Sequence, residues 1–192
     1  AYLAVHPSAS PSIRWFGGAL ADFAAACPEA LPHPALADLI RLEWALRGAF
    51  DAEDAVPLDF ASLAAVPAEA WPTLRLQLHP SCALLDLGWS VEGLWQALAP
   101  LDDGESPDPE PDAPAPHAHR LVVWRKGLTP CWRSADGLEG PLLEAVAAGE
   151  CFAELCERIA ETGEAAAAQV MVGLLRRWVD EGLLGSPVDV TA

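Results

Sequence analysis

The residues of this 192-residue chain that could do chemistry are few and scattered. The densest group is Arg41-Leu42-Glu43-Trp44-Ala45-Leu46-Arg47. At about 100° per residue, Glu43 and Arg47 fall on either side of Leu36. That sets both inside the apolar stripe of Leu36, Leu39, Ile40, Leu46 and Phe50. They stand four apart, the spacing of a helical ion pair. A charge in an apolar stripe is costly unless paired. The pair is therefore expected either to be a buried ion pair that fixes helix packing or to mark a face that docks a partner protein. A catalytic Glu43 would need a second acid or a nucleophile, and neither accompanies it. His79 ends the run Leu74-Arg75-Leu76-Gln77-Leu78 and is expected to hydrogen-bond Glu43 across the core.

The remaining candidates are weaker. His117 and His119 form an H-x-H beside a proline, best read as a solvated surface pair. The cysteines are Cys27, Cys82, Cys131, Cys151 and Cys156, odd in number and without a C-x-x-C pair. This usage fits free thiols in a reducing cytoplasm better than a disulfide framework or a zinc site. Phosphate-loop, dinucleotide-glycine, zinc-protease and nucleophile-elbow patterns are absent from the sequence. The expectation is a chain with no catalytic residue, no metal and no cofactor of its own.

The elements that must position these residues read as mainly helical, with a small α+β part. Pro34 suits the first turn of a helix running to about Phe50. The alternation of Leu74, Leu76 and Leu78 with polar residues is strand-like. Ser90 is expected to cap a helix from Val91 to Ala99. Residues 100–118 are rich in Pro, Asp and Glu and poor in large apolar residues, which marks a linker. Beyond it, HRLVVWRKG and TPCWRSAD are β-branched and aromatic and meet at Gly127-Leu128, a β-hairpin pattern. Three helices are expected to follow, over about Glu139–Ala148, Cys151–Ala160 and Glu164–Glu181, with Gly149 and Gly182 as stops. The linear division is thus a helical domain at 1–99, a linker, and a winged-helix-like domain at 119–192.

Charge narrows the partners. Hydrophobic residues make up 52% of the chain, and the formal net charge is −17. Residues 1–100 hold four basic and 11 acidic residues, 101–119 none and six, and 120–192 seven and 11. Nucleic-acid binding rests on Lys and Arg at phosphates, so it is disfavoured throughout. No apolar run reaches the roughly 18 residues needed to span a bilayer, and no signal peptide is visible at the start. The basic residues of the C-terminal part concentrate on the hairpin, at Arg120, Arg125, Lys126 and Arg133. A short exposed strand with apolar and basic residues can accept an added peptide strand. The expected peptide contacts are Leu121, Val122, Val123, Trp124, Arg125, Cys131, Trp132 and Arg133.

Four stretches, HPSASPSIRWFGG (His6–Gly18), LADLIRLEWALRGAFDAEDAVPLD (Leu36–Asp59), LRLQLHPSCALL (Leu74–Leu85) and WSVEGLWQAL (Trp89–Leu98), resemble the HvfC/BufC-type peptide modification chaperones, a family formerly labelled "putative DNA-binding domain". Members of that family have further helices before the HPS segment, so the resemblance implies that this chain starts inside the domain. It also implies a non-catalytic partner subunit of a DUF692-type multinuclear non-haem iron oxygenase. Such a subunit recognises the leader of a ribosomally made precursor peptide and presents the peptide's cysteines to the iron site, which belongs to the enzyme. The C-terminal part is similar to winged-helix leader-recognition elements. The competing expectation, from the older label, is a winged-helix DNA-binding regulator.

Overall fold

The computed structural model describes residues 1–7, 15–100, 106, 109–135, 137–163 and 166–186. It is mixed α/β and mainly helical. In chain order the elements are α1 (Tyr2–Val5), α2 (Leu20–Ala26), α3 (Leu36–Asp51), α4 (Phe60–Ala64), β1 (Gln77–Leu78), β2 (Ala83–Trp89) and α5 (Glu92–Leu98). They continue with β3 (Pro116–Lys126), β4 (Thr129–Ser134), α6 (Glu139–Ala147), α7 (Phe152–Glu161), α8 (Ala167–Glu181) and β5 (Leu184–Gly185). Short 3-10 turns lie at Pro28–Ala30 and Ala68–Thr73. Among the described residues no helix is long and apolar enough to cross a membrane.

The chain divides into two compact units, and the division is not the linear one. Ala1–Arg47 clusters with Leu85–His119, and Gly48–Leu84 clusters with Arg120–Ala192. The expected break at residues 100–118 gives way because residues 48–84 make their contacts with the C-terminal part. The linker itself is only partly described. Residues 101–105 and 107–108 lie outside the described residues, and Pro116 already belongs to β3.

In the first unit the central helix is α3. Backbone bonds from Leu36 N–H to His33 C=O and from Leu39 N–H to Ala35 C=O start it, so Pro34 precedes the first turn rather than lying in it. Its buried positions are Ala37, Asp38, Leu42 and Leu46 here, with Ala35 just before it and Ala49 following in the second unit. Ala35, Asp38, Leu42, Leu46 and Ala49 recur three or four apart, one stripe of an α-helix, with Ala37 at its margin. Its phase differs from the expected one: Glu43 and Arg47 are exposed, and Phe50 is 49% exposed. The carboxylate in the stripe is Asp38. It accepts from the backbone N–H of Gly88 (2.8 Å) and Trp89 (3.1 Å), and Arg41 pairs with it at 2.6 Å. Arg47 instead stacks its guanidinium over Trp44, 5.7 Å from the ring centroid. Ser90 is a second correction. Its Oγ accepts from the Ala115 N–H (3.1 Å), while Val91 is the N-cap of α5.

The second unit holds the larger core. Leu58, Leu63 and Leu76 pack in one cluster with Val122 and Trp124 of β3 and with apolar residues of all three following helices, among them Leu142, Leu155, Met171 and Trp178. β1 and β5 pair antiparallel, Gln77 with Gly185 and Leu78 with Leu184. β2, β3 and β4 are hydrogen-bonded in that order, with Leu85–Trp89 of β2 and Pro116–His119 of β3 belonging to the first unit. The β3–β4 hairpin matches its expected bounds at the turn, with Lys126 opposite Thr129 and Gly127 at φ 63° between them. Helix α8 ends where Gly182 adopts the left-handed conformation, at φ 76°. The Leu74–Leu78 alternation yields only two strand residues, because Leu74 and Arg75 turn to residues 151–152 instead. Phe152 N–H donates to Leu74 C=O at 2.8 Å, and Arg75 bridges to Cys151.

Candidate functional site

The expected peptide contacts lie on the hairpin of the second unit, and their burial separates them. β3 is the middle strand of its sheet. Leu121, Val122, Val123, Trp124 and Arg125 are all buried, none more than 8% exposed. They cannot form an exposed binding strand, and that expectation is corrected. The apolar content that suggested a sticky surface is instead core, covered on both faces as a central strand must be.

Arg125 shows how a basic residue is buried there. Its guanidinium donates to Phe50 C=O (2.7 Å) at the end of α3, to Glu53 C=O (3.3 Å) and to Asp54 Oδ1 (2.5 Å). A cation at the carbonyl end of a helix is favourably placed. Its backbone N–H donates to Ser81 Oγ at 3.1 Å. Ser81 in turn serves His79, which is also buried. His79 Nδ1 lies 2.8 Å from Ser81 Oγ and accepts the Ser81 N–H at 3.2 Å. With Nδ1 accepting, the ring proton sits on Nε2 and donates to Ala55 C=O at 3.2 Å. His79 therefore pins residues 55 and 81 together. The expected bond to Glu43 is not made.

β4 carries the other half of the prediction. The cross-strand pairs Val122/Arg133 and Trp124/Cys131 share one sheet face, and Val123/Trp132 and Arg125/Pro130 share the other. Cys131 packs at the margin of the core. Arg133 lies between α6 and α8. It donates to Glu139 through Nη1 (2.8 Å) and Nη2 (2.7 Å), and to Glu181 through Nε (2.9 Å) and Nη2 (2.7 Å). Trp178 Nε1 donates to Glu139 at 2.7 Å, and Arg177 stands 3.6 Å from the same carboxylate. Burial alone would raise the Glu139 carboxyl, but the Arg133 and Trp178 hydrogen bonds outweigh it and hold the group below the usual glutamate range. The same two glutamates raise the Arg133 guanidinium against its own burial. Arg133 is therefore an internal fastener of the hairpin rather than a free cation.

The backbone of β4 is where the sheet stays open. Hydrogen-bonded pairs alternate along an antiparallel ladder, and a two-residue turn makes Lys126/Thr129 the first. Trp124/Cys131 and Val122/Arg133 follow as hydrogen-bonded pairs. Pro130 and Trp132 then direct their backbone groups away from β3, and so does Ser134, whose C=O accepts from Arg133 Nη1 at 2.9 Å. Pro130, which lacks an N–H, sits on that outward side, where it costs the ladder nothing. No other strand pairs with this edge among the described residues. Trp132 is half-buried and offers both an N–H and a C=O there.

Burial pushes the Cys82 thiol up to about 12, with Arg133 pulling weakly the other way. Burial raises Cys156 as well. All five cysteines are free of disulfides. His117 and His119 stack at 4.8 Å, and His119 Nε2 lies 2.7 Å from Glu92. Among the described residues no group of three or more His, Cys, Asp or Glu could hold a metal ion. The sequence placed Cys131, Trp132 and Arg133 among the expected contacts but did not tell which strand holds the open edge; the marker for that was Pro130 inside an otherwise strand-forming run. Compared with known proteins, the chain matches no protein-family model, no curated protein and no solved structure.

Proposed function

We propose that this chain is a cytoplasmic, non-catalytic partner subunit that binds a cysteine-containing, ribosomally made precursor peptide and presents it to a DUF692-type iron oxygenase. The observation that carries the reading is the open edge of β4. It ends a three-stranded sheet, and the three helices α6 to α8 that follow share the core of the second unit, which supports a winged-helix-like reading. An extended peptide can add a strand to such an edge through main-chain hydrogen bonds. The resemblance of residues 6–18, 36–59, 74–85 and 89–98 to peptide modification chaperones supplies the partner enzyme and the reaction class.

The reading is tested with the protein and its neighbouring gene products. The purified chain should retain both a short cysteine-bearing precursor and an iron oxygenase in a pull-down, and should not shift duplex DNA at low salt. Association with neither partner would sink the proposal. Trp132→Pro removes the outward N–H of β4. It should weaken the peptide about tenfold or more, the scale of one or two main-chain bonds, while leaving the enzyme bound.

A further inference from the structure

We propose that the open edge of β4 pairs with the same edge of a second copy of this chain, and that this pairing covers the edge until a peptide displaces it. Only the displacement rests on the peptide reading of β4. The pairing follows from the strand itself.

An open edge strand is a template for another chain, and two identical edges meet antiparallel across a two-fold axis. The outward main-chain groups then decide the register. Trp132 presents an N–H and a C=O, and Pro130 a C=O alone. The Ser134 C=O already accepts from Arg133 Nη1 at 2.9 Å. With the axis at Trp132, each Trp132 N–H donates to the C=O of the other Trp132. The same register sets Pro130 opposite Ser134 of the second copy. The donor that proline lacks falls against an acceptor that Arg133 has already filled, so the gap in the edge costs nothing. Neighbouring registers lose this match. An axis at Cys131 sets each Trp132 C=O against a proline, which has no donor. An axis at Arg133 sets each Trp132 N–H against the occupied Ser134 C=O.

The side chains agree with that register. Trp132 and Pro130 are half-buried and share one face of the strand, so the two indoles meet across the axis. On the other face each Arg133 is held by its own Glu139 and Glu181. The two guanidiniums therefore do not confront each other as bare charges. An unrelated peptide brings no internal donor for the C=O it sets against Pro130; a second β4 does.

Sedimentation equilibrium of the whole chain tests the pairing. The runs cover roughly 5–500 µM chain, at about 0.3 M salt to screen the net charge of −17. They should show a reversible step from 20.3 kDa to twice that mass. The dissociation constant is expected on the order of 100 µM, the scale of an interface below the standard size. Amide exchange followed by NMR should slow at Trp132 as the concentration rises. Trp132→Lys keeps both main-chain groups but opposes two like charges, and should weaken the dimer at least about tenfold. Trp132→Glu should do the same. An equimolar mixture of the two variants should associate again, because opposite charges at one position rescue only a residue that faces itself. Circular dichroism confirms that each variant is folded. A chain monomeric throughout overturns the proposal, as does a dimer that both variants form as readily as the parent, or a mixture that fails to associate. The short cysteine-bearing precursor used for the pull-down should return the dimer to monomers, and precursor bound to an intact dimer overturns the proposal. Failure to retain the precursor at all counts against the peptide reading alone and leaves the mixing result standing, so the two failures are distinct.

Discussion

Replacing Arg133 by Met tests whether one guanidinium fastens the hairpin to the helices. The side chain spans β4, the start of α6 and the end of α8, and it is 15% exposed. Its partner Glu139 is 8% exposed and Glu181 23%. Met keeps the apolar stem but leaves two carboxylates facing each other. Glu139 retains only the Trp178 N–H and the more distant Arg177. Removing one partner of a buried pair costs about 3–5 kcal/mol. The partial exposure of Glu181 puts this case at the lower end, about 3 kcal/mol. Urea unfolding at pH 7, followed by tryptophan fluorescence and far-UV circular dichroism, reads the change as a lower midpoint at constant slope. The double variant Arg133→Met/Glu139→Gln removes the stranded charge and should recover about 1–2 kcal/mol. pH supplies a second axis. The Glu139 carboxyl is lower in the folded chain than its ordinary 4.5. Its contribution is therefore complete above that value and is lost as pH falls through the folded one. Glu139→Gln should flatten this acid limb. A loss under about 1 kcal/mol for Arg133→Met, or a double variant no more stable than the single, would refute the fastener.

Other outcomes follow from the same geometry. Asp38→Ala strips the acceptor from two backbone donors and should cost about 2–3 kcal/mol, whereas exposed Glu43→Ala should stay within about 0.5 kcal/mol; thermal melts of the two variants compare them directly. Gly140→Ala sets a Cβ 2.7 Å from both Ala135 O and Arg120 Cδ and should lower stability by about 2 kcal/mol by overpacking, read by the same urea titration. Cys82, with its thiol near 12, should resist iodoacetamide at pH 8 in the native chain and label readily once unfolded, as isotope-coded alkylation and mass spectrometry would show; equal labelling in both states would refute its burial.

What the sequence revealed was local. The hairpin was legible because its strands are β-branched and aromatic and a glycine turn of fixed length sets the register. The C-terminal helices were legible because Gly149 and Gly182 end two of them in left-handed conformations. The phase of α3 was not. Leucine positions suggested one stripe, but the helix buries Ala37 and Ala49 beside Leu42 and Leu46, and only Gly88 and Trp89, some fifty residues on, make Asp38 an inside residue. His79 was rightly read as internal, yet its partners were Ser81 and Ala55, not Glu43, because partner choice rests on long-range placement. The hairpin site was half legible. Apolar and basic residues marked a special strand, but the same pattern describes a buried central strand, and only the sheet order shows that β4 holds the open edge.

The interleaved build of the second unit bears on how the chain can be synthesised and cut. Gln77 finds its strand partner only when Gly185 has been made, and Leu58 bonds to Leu184. Residues 48–84 must leave the ribosome long before the segment that completes their fold, which makes late closure and a slow folding step the natural expectation for so non-local a topology. A gene fragment starting at residue 119 would likewise lack Leu58, Leu63 and Leu76 from its core. Any dissection of the hairpin and its three helices therefore has to carry residues 48–84 along, spliced or co-expressed, rather than cut once at the acidic stretch.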